Sequence, residues 1–240
     1  MGYFISMKIR YILIIAGLAW AYSILSMELP TKKQKLEAPR QVSIADYLQK
    51  QPQLINQRRK GDMLDLSKLN LTSLEGLHFL PDYAAITHLN LADNGLATIK
   101  NKAFYGMNNL ETLDLFNNKI KTLEPFAFNG LKKIKKIDLN GNNIRRIEIA
   151  FAQLAELEEL YLELNKIEYI APYAFRDLKN LKKLWLGHNN LQTIDARALK
   201  GPQDQPLRAL EILDLEYNPL SEEEQDKIED MVPPTITLIF

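Results

Sequence analysis

Tyr161 and Trp185 stand 24 residues apart in matching stretches, Leu160-Tyr161-Leu162-Glu163-Leu164-Asn165 and Leu184-Trp185-Leu186-Gly187-His188-Asn189. In an extended chain, apolar-x-apolar puts the middle side chain on the face opposite the two leucines. Both rings are therefore expected to face outward, with Phe116 and Tyr217 further along the same face. Exposed rings on a rigid surface stack on apolar or planar ligand groups and are typical anchors of binding sites. The position of Tyr161 and Trp185 is held by Asp114 and Asp138 in other copies, and the next outward position carries Glu163 and Glu216. Stacked carboxylates repel one another, and a basic partner or a cation would relieve that. Screening by solvent, helped by Lys136 and Lys183, is the alternative.

Residue types that would carry reaction chemistry are scarce. The chain has no cysteine, which removes disulfides, thiolate metal sites and cysteine nucleophiles together. Its three histidines, His78, His88 and His188, are far apart and have no metal-ligand spacing. There is no Gly-rich phosphate loop, GxSxG or HExxH, and the sequence sets no nucleophile motif beside His188. The expectation is a protein that is not an enzyme and needs no cofactor or metal. Lys+Arg and Asp+Glu are both 30, so overall charge gives no support to nucleic-acid binding.

The elements that position these side chains are repeats. Six segments align, Ile86–Asn109, Leu110–Lys133, Ile134–Glu156, Leu157–Asn180, Leu181–Ala209 and Leu210 onward, with a period of 24 residues, shortened to 23 in the third and lengthened to 29 in the fifth. One column reads Leu89, Leu113, Ile137, Leu160, Leu184, Leu213; two residues on come Leu91, Leu115, Leu139, Leu162, Leu186, Leu215; three further stands Asn94, Asn118, Asn142, Asn165, Asn189, Asn218. A degenerate first copy has Leu64, Leu66, Leu71 and Leu74, with Leu69 in place of the asparagine. Such short strands need parallel neighbours to satisfy their backbone and a right-handed return across the back. The asparagine amide donates and accepts, so it can serve turn groups in its own copy and in the next one.

This LxxLxLxxNxL pattern resembles the leucine-rich-repeat family. The resemblance implies an α/β right-handed solenoid of about seven repeats with a parallel concave sheet, used as a binding scaffold. The return segments carry Ala103-Phe104, Ala127-Phe128, Ala174-Phe175 and Ala198-Leu199, with Phe151 in the third repeat. That type is similar to extracellular members such as Toll-like receptors and small proteoglycans. Those relatives usually have disulfide-bonded caps, which a chain without cysteine cannot build.

Around the repeats, expected at 61–220, the ends read differently. Lys8 and Arg10 precede the uncharged run Tyr11–Leu25, the order of a secretory signal peptide over residues 1–26. Cleavage would follow Ser23, with Ala21 at −3, or Ser26; an uncleaved anchor through residues 11–27 is the alternative. Residues 27–42, with Pro30, Pro39 and Lys32, Lys33 and Lys35, read as a linker. Residues 43–60 read as an N-terminal cap, with Ser43 opening a helix and Pro52 ending it. Residues 221–240 read as a C-terminal cap: Ser221 caps a helix, Glu224 completes a capping box, and Thr235–Phe240 alternate as a strand that pairs with the last repeat. The expected protein is secreted or exported and binds a protein or peptide with basic and apolar groups. Nucleic acid is not expected, and membrane only through an uncleaved leader. Carbohydrate binding and a purely structural role in the cell envelope are the alternatives.

Overall fold

Three-residue strands survive only where both edges are paired, and the chain supplies that pairing by returning to the same place every 24 residues or so. The computed structural model of the protein describes residues 42–201 and 205–240. The expected leader and nearly all of the linker lie outside the described residues. The strands, in chain order, are β1 (Arg59–Lys60), β2 (Met63–Asp65), β3 (His88–Asn90), β4 (Thr98–Ile99), β5 (Thr112–Asp114), β6 (Thr122–Leu123), β7 (Lys136–Asp138), β8 (Arg146–Ile147), β9 (Glu159–Tyr161), β10 (Tyr169–Ile170), β11 (Lys183–Trp185), β12 (Ile212–Asp214) and β13 (Thr237–Ile239). Nine of them form one sheet in the order β1-β2-β3-β5-β7-β9-β11-β12-β13. All its pairs are parallel except β1 with β2. On the opposite side, β4 pairs with β6 and β8 with β10. The chain is thus a repeat solenoid with a parallel sheet on one face, the architecture that the resemblance implies. Among the described residues no helix is long and apolar enough to cross a membrane.

The register aligns the sequence columns. Leu64, Leu89, Leu113, Ile137, Leu160, Leu184 and Leu213 are direct neighbours along the sheet and all are buried. Behind them Phe104, Phe128, Phe151 and Phe175 are fully buried. Their centroids are 5.9, 5.3 and 6.3 Å apart, the first two pairs parallel within 4° and 3°, the last tilted by 32°. This spine fills the return half of the core, where the backbone makes turns instead of regular helix.

Each strand exit is held by its asparagine, in a direction opposite to the one expected. Asn142 donates through Nδ2 to Leu139 O in its own copy, at 3.0 Å, and to Leu115 O in the preceding copy, at 3.0 Å. Its Oδ1 accepts from Ile120 N of the preceding copy at 3.0 Å. Asn118, Asn165, Asn189 and Asn218 repeat this scheme. The amides reach back, not forward, because the preceding copy's turn presents its N–H and carbonyl toward them. Leu69 follows from this: the first copy has no predecessor to bridge. Asn94 reaches back to Leu66 O, Leu69 N and Leu71 N, and Tyr47 OH donates to Leu69 O at 2.6 Å.

Two short helices precede the sheet, α1 (Ile44–Lys50) and α2 (Pro52–Gln57). Ser43 caps α1 in a capping box with Asp46, and Pro52 opens α2 after α1 has ended. At the other end, Ser221 caps α3 (Glu222–Met231) by accepting from Glu224 N. The expected capping box does not form there. The Glu224 carboxylate turns inward and accepts from Ile194 N at 3.0 Å, a buried N–H that has a stronger claim on a charged acceptor than a solvated cap N–H. β13 pairs in parallel with β12. Truncating the middle of the spine, Phe128→Ala, should lower stability by about 3–5 kcal/mol, read as a drop in the urea midpoint.

Candidate functional site

The residues outward of the buried leucines form three columns on the sheet face. The third strand position reads Asp65, Asn90, Asp114, Asp138, Tyr161, Trp185, Asp214. In five of these seven copies the Asp or Asn side chain ends the strand: its Oδ1 accepts the N–H two residues on, at 2.8–3.0 Å. That local bond is why the column is acidic. Tyr161 and Trp185 are the departures, and they are adjacent, on β9 and β11.

Their rings lie parallel within 4°, centroids 6.1 Å apart. Lys136 Nζ sits 4.4 Å from the Tyr161 centroid, on the side away from Trp185. Tyr161 OH donates to Glu159 Oε2 at 2.9 Å, and Lys183 Nζ bonds Glu159 Oε1 at 2.8 Å. Burial, then the bond to Glu159, raises the phenol's pKa and keeps it a neutral donor. Lys183 therefore serves Glu159, not the neighbouring column of acids. Trp185 Nε1 is buried and has no hydrogen-bond partner among the described residues, an arrangement that ordinarily costs about 1–3 kcal/mol.

Beside the rings the carboxylates gather. Glu163 is only 6% exposed. Its N–H donates to Asn140 Oδ1 at 2.7 Å and its Oε2 accepts from Asn140 Nδ2 at 3.2 Å, so a cross-copy bond replaces the strand-ending Asp that Tyr161 displaced. Burial, with Asp214 next, pushes the Glu163 carboxyl up to about 7. Burial, with Asp114 adding repulsion, pushes Asp138 up to about 6 against the Asn140 N–H that favours its charge. Asp114 and Asp214 are raised too, chiefly by burial. Next to Gly187, an added Cβ would lie 3.2 Å from Asp214 Oδ1, so the missing side chain leaves room for that carboxylate.

Of the residues singled out by sequence, Tyr161, Trp185, Asp138 and Glu163 come together with Glu216 and Asp214 alongside. Phe116 and Asp114 lie on the β5 side, Phe116 close to Gly141. Tyr217 is not on the strand face. It occupies the turn after β12, 65% exposed, in the left-handed conformation (φ 57°), and stacks on His188 at 4.2 Å. The corresponding turn residues in the other copies also have positive φ, including Leu164 at 56°, a conformation unfavourable for leucine. Reading columns alone missed Glu159, Lys136, Asn140 and Asp214 as neighbours of the rings. The register of β7, β9, β11 and β12 would have found them. A second concavity, where α2 overhangs the sheet, is lined by Arg58, Met63, Asp65, His88 and Asp114. No group of three or more acidic, His or Cys residues among the described residues is placed to hold a metal ion.

A family model described as leucine rich repeat matches residues 62–120, 84–144, 109–167 and 155–220. The fold is similar to TLR13 in its complex with ssRNA13, with TM-score 0.61 and 29% identity over 67% of this chain and 22% of that one. It is also similar to a leucine-rich-repeat protein of Leptospira interrogans, with TM-score 0.54 and 27% identity over 74% of this chain and 48% of that one. The chain thus spans less than half the length of either. No curated protein matches it.

The raised carboxyls set a pH dependence. Between about pH 4.5 and 7 the folded chain retains protons at Glu163 that the unfolded chain has released, so stability falls as pH rises through that window. Glu163→Gln, which keeps the Asn140 bond, should be more stable than the parent by on the order of 1–3 kcal/mol at about pH 8 and converge with it near pH 4. Urea unfolding at the two pH values measures both; equal stability at the higher pH would contradict the buried-charge account.

Proposed function

The chain belongs to the leucine-rich-repeat family, and from that premise we propose that it is a non-catalytic scaffold whose concave face binds a protein or peptide with basic and apolar groups. Members of this family are generally repeat scaffolds used for binding. The observation that carries the finer reading is the stacked Tyr161–Trp185 pair. At these two positions the strand-ending Asp or Asn of the other copies is replaced by large rings, and one of them leaves a buried indole N–H unpaired. Solenoid stability does not require such rings, since Asp138 and Asp214 serve the same position on either side. Rigid aromatic platforms are what interface hot spots are made of.

The charge of the partner follows from the surroundings. Asp138, Glu163, Asp214 and Glu216 lie next to the rings, and burial, with repulsion from neighbouring carboxylates after it, raises the pKa values of Asp138, Glu163 and Asp214. A lysine or arginine arriving over the face would restore the charged forms and gain from them. The same carboxylates oppose a phosphate backbone, so nucleic acid is not proposed, although the similar TLR13 structure is of a complex with ssRNA13. Export through residues 1–26, or anchoring through residues 11–27, belongs to this proposal.

The test is a comparative pull-down from candidate partner extracts with the full chain and a Tyr161→Ala/Trp185→Ala variant whose fold is verified by its unfolding curve. A protein held by the first and lost by the second, with affinity lowered by on the order of 10–100-fold, is the expected result. Identical retention by both, or retention by neither, would remove the aromatic site, and a glycan array would then examine the carbohydrate reading.

A further inference from the structure

Three asparagines stand directly before a glycine, in Asn94-Gly95, Asn129-Gly130 and Asn140-Gly141. Asparagine is a chemically labile residue. A following glycine makes it more so, because no Cβ shields the next main-chain nitrogen and the backbone can turn that nitrogen onto the side-chain amide. The reaction needs both groups loose. The Asn amide must rotate, and the Gly N–H must be able to give up its proton.

The fold treats the three steps differently. Asn94 belongs to the asparagine ladder and is buried. Its Oδ1 accepts from Leu69 N at 3.0 Å and Leu71 N at 2.9 Å, its Nδ2 donates to Leu66 O and Leu91 O at 2.9 Å, and Gly95 N–H donates to Leu71 O at 2.7 Å. Asn140 is held by Glu163. Its Oδ1 accepts from Glu163 N at 2.7 Å, its Nδ2 donates to Glu163 Oε2 at 3.2 Å, and Gly141 N–H donates to Glu163 O at 3.0 Å. In both steps the amide and the attacking nitrogen are engaged. Asn129-Gly130 lies on the return side between β6 and β7, half-buried. Among the described residues neither the Asn129 side chain nor Gly130 N–H makes a hydrogen bond. Gly130 has a φ of 100°, which glycine holds without strain.

We propose that Asn129-Gly130 is a modification site that deamidates spontaneously in the folded chain, while Asn94-Gly95 and Asn140-Gly141 stay intact. Gly130 N attacks Asn129 Cγ and gives up its proton. The N–Cγ bond forms, the Cγ–Nδ2 bond breaks, and ammonia leaves. Water then opens the cyclic imide at one of its two carbonyls. One opening leaves aspartate. The other leaves isoaspartate, whose main chain runs through Cβ and Cγ and is one carbon longer. Both add a negative charge to the return side. The longer main chain falls between Phe128 and Leu131, which are 0% and 1% exposed, so the isoaspartate form disturbs the phenylalanine spine.

The test ages the full chain in native buffer and in urea, until the urea sample has reacted at all three steps. Both samples are then digested and the three peptides weighed by mass spectrometry. In native buffer the Asn129 peptide should convert from amide to acid. Asn94 and Asn140 should react at least about tenfold more slowly there, because several hydrogen bonds must break first. In urea the three should react alike. Urea unfolding of the aged native sample should reveal a less stable population that grows with age. Asn129→Gln, whose side chain is one carbon too long to close the same ring, should age without it. An Asn129 peptide unchanged in native buffer overturns the proposal, as does conversion of Asn94 or Asn140 there as fast as Asn129. Conversion at Asn129 without the less stable population overturns the effect on the spine.

Discussion

A buried asparagine amide at the exit of each strand ties every copy of the repeat to the one before it, and the concave face exists because of that tie. Leaving a strand exposes main-chain N–H and carbonyl groups inside the core, where each would be costly without a partner. Asn142 answers three of them at once, two carbonyls through Nδ2 and one N–H through Oδ1. Aspartate could not donate, leucine could do neither, and glutamine would overreach. Repeating the amide at a nearly constant interval fixes where each strand begins and ends, so side chains at equivalent positions become neighbours one strand spacing apart.

On that frame the outward positions are free to vary, and the way they vary is informative. Asp or Asn at the third strand position uses its side chain to close its own strand, so most of the acidic column is accounted for by backbone chemistry. β9 and β11 give up this closure for rings. In the same two copies Trp185 Nε1 lacks an acceptor among the described residues and Glu163 is buried with a raised pKa. Departures from local optimum that gather in adjacent repeats are the observation from which the proposed binding surface is argued.

Much of this was legible in the sequence. The Leu-x-Leu columns, the phenylalanine spine and the outward facing of Tyr161 and Trp185 follow from period alone, because a 24-residue repeat leaves one solution for register. Other features depend on contacts that period does not encode. The asparagines reach backward, which requires knowing which copy's turn offers its groups. Glu224 abandons its cap for Ile194, a residue 30 positions away. Tyr217 lies off the strand face because it holds the positive-φ turn position that Leu164 and His188 hold in the preceding copies. The burial of Glu163 and its pairing with Asn140 depend on Tyr161 having displaced an aspartate in the same copy.

The dependence of the whole face on the asparagine ladder can be measured by exchanging the two residue types that occupy its position. Urea unfolding of Asn142→Leu should show a loss of at least about 3 kcal/mol, since three buried backbone groups lose their partner. Leu69→Asn, in the copy with no predecessor, should gain nothing. An Asn142→Leu chain within about 0.5 kcal/mol of the parent, or a Leu69→Asn chain clearly more stable than it, would contradict the account that each amide holds two successive copies together.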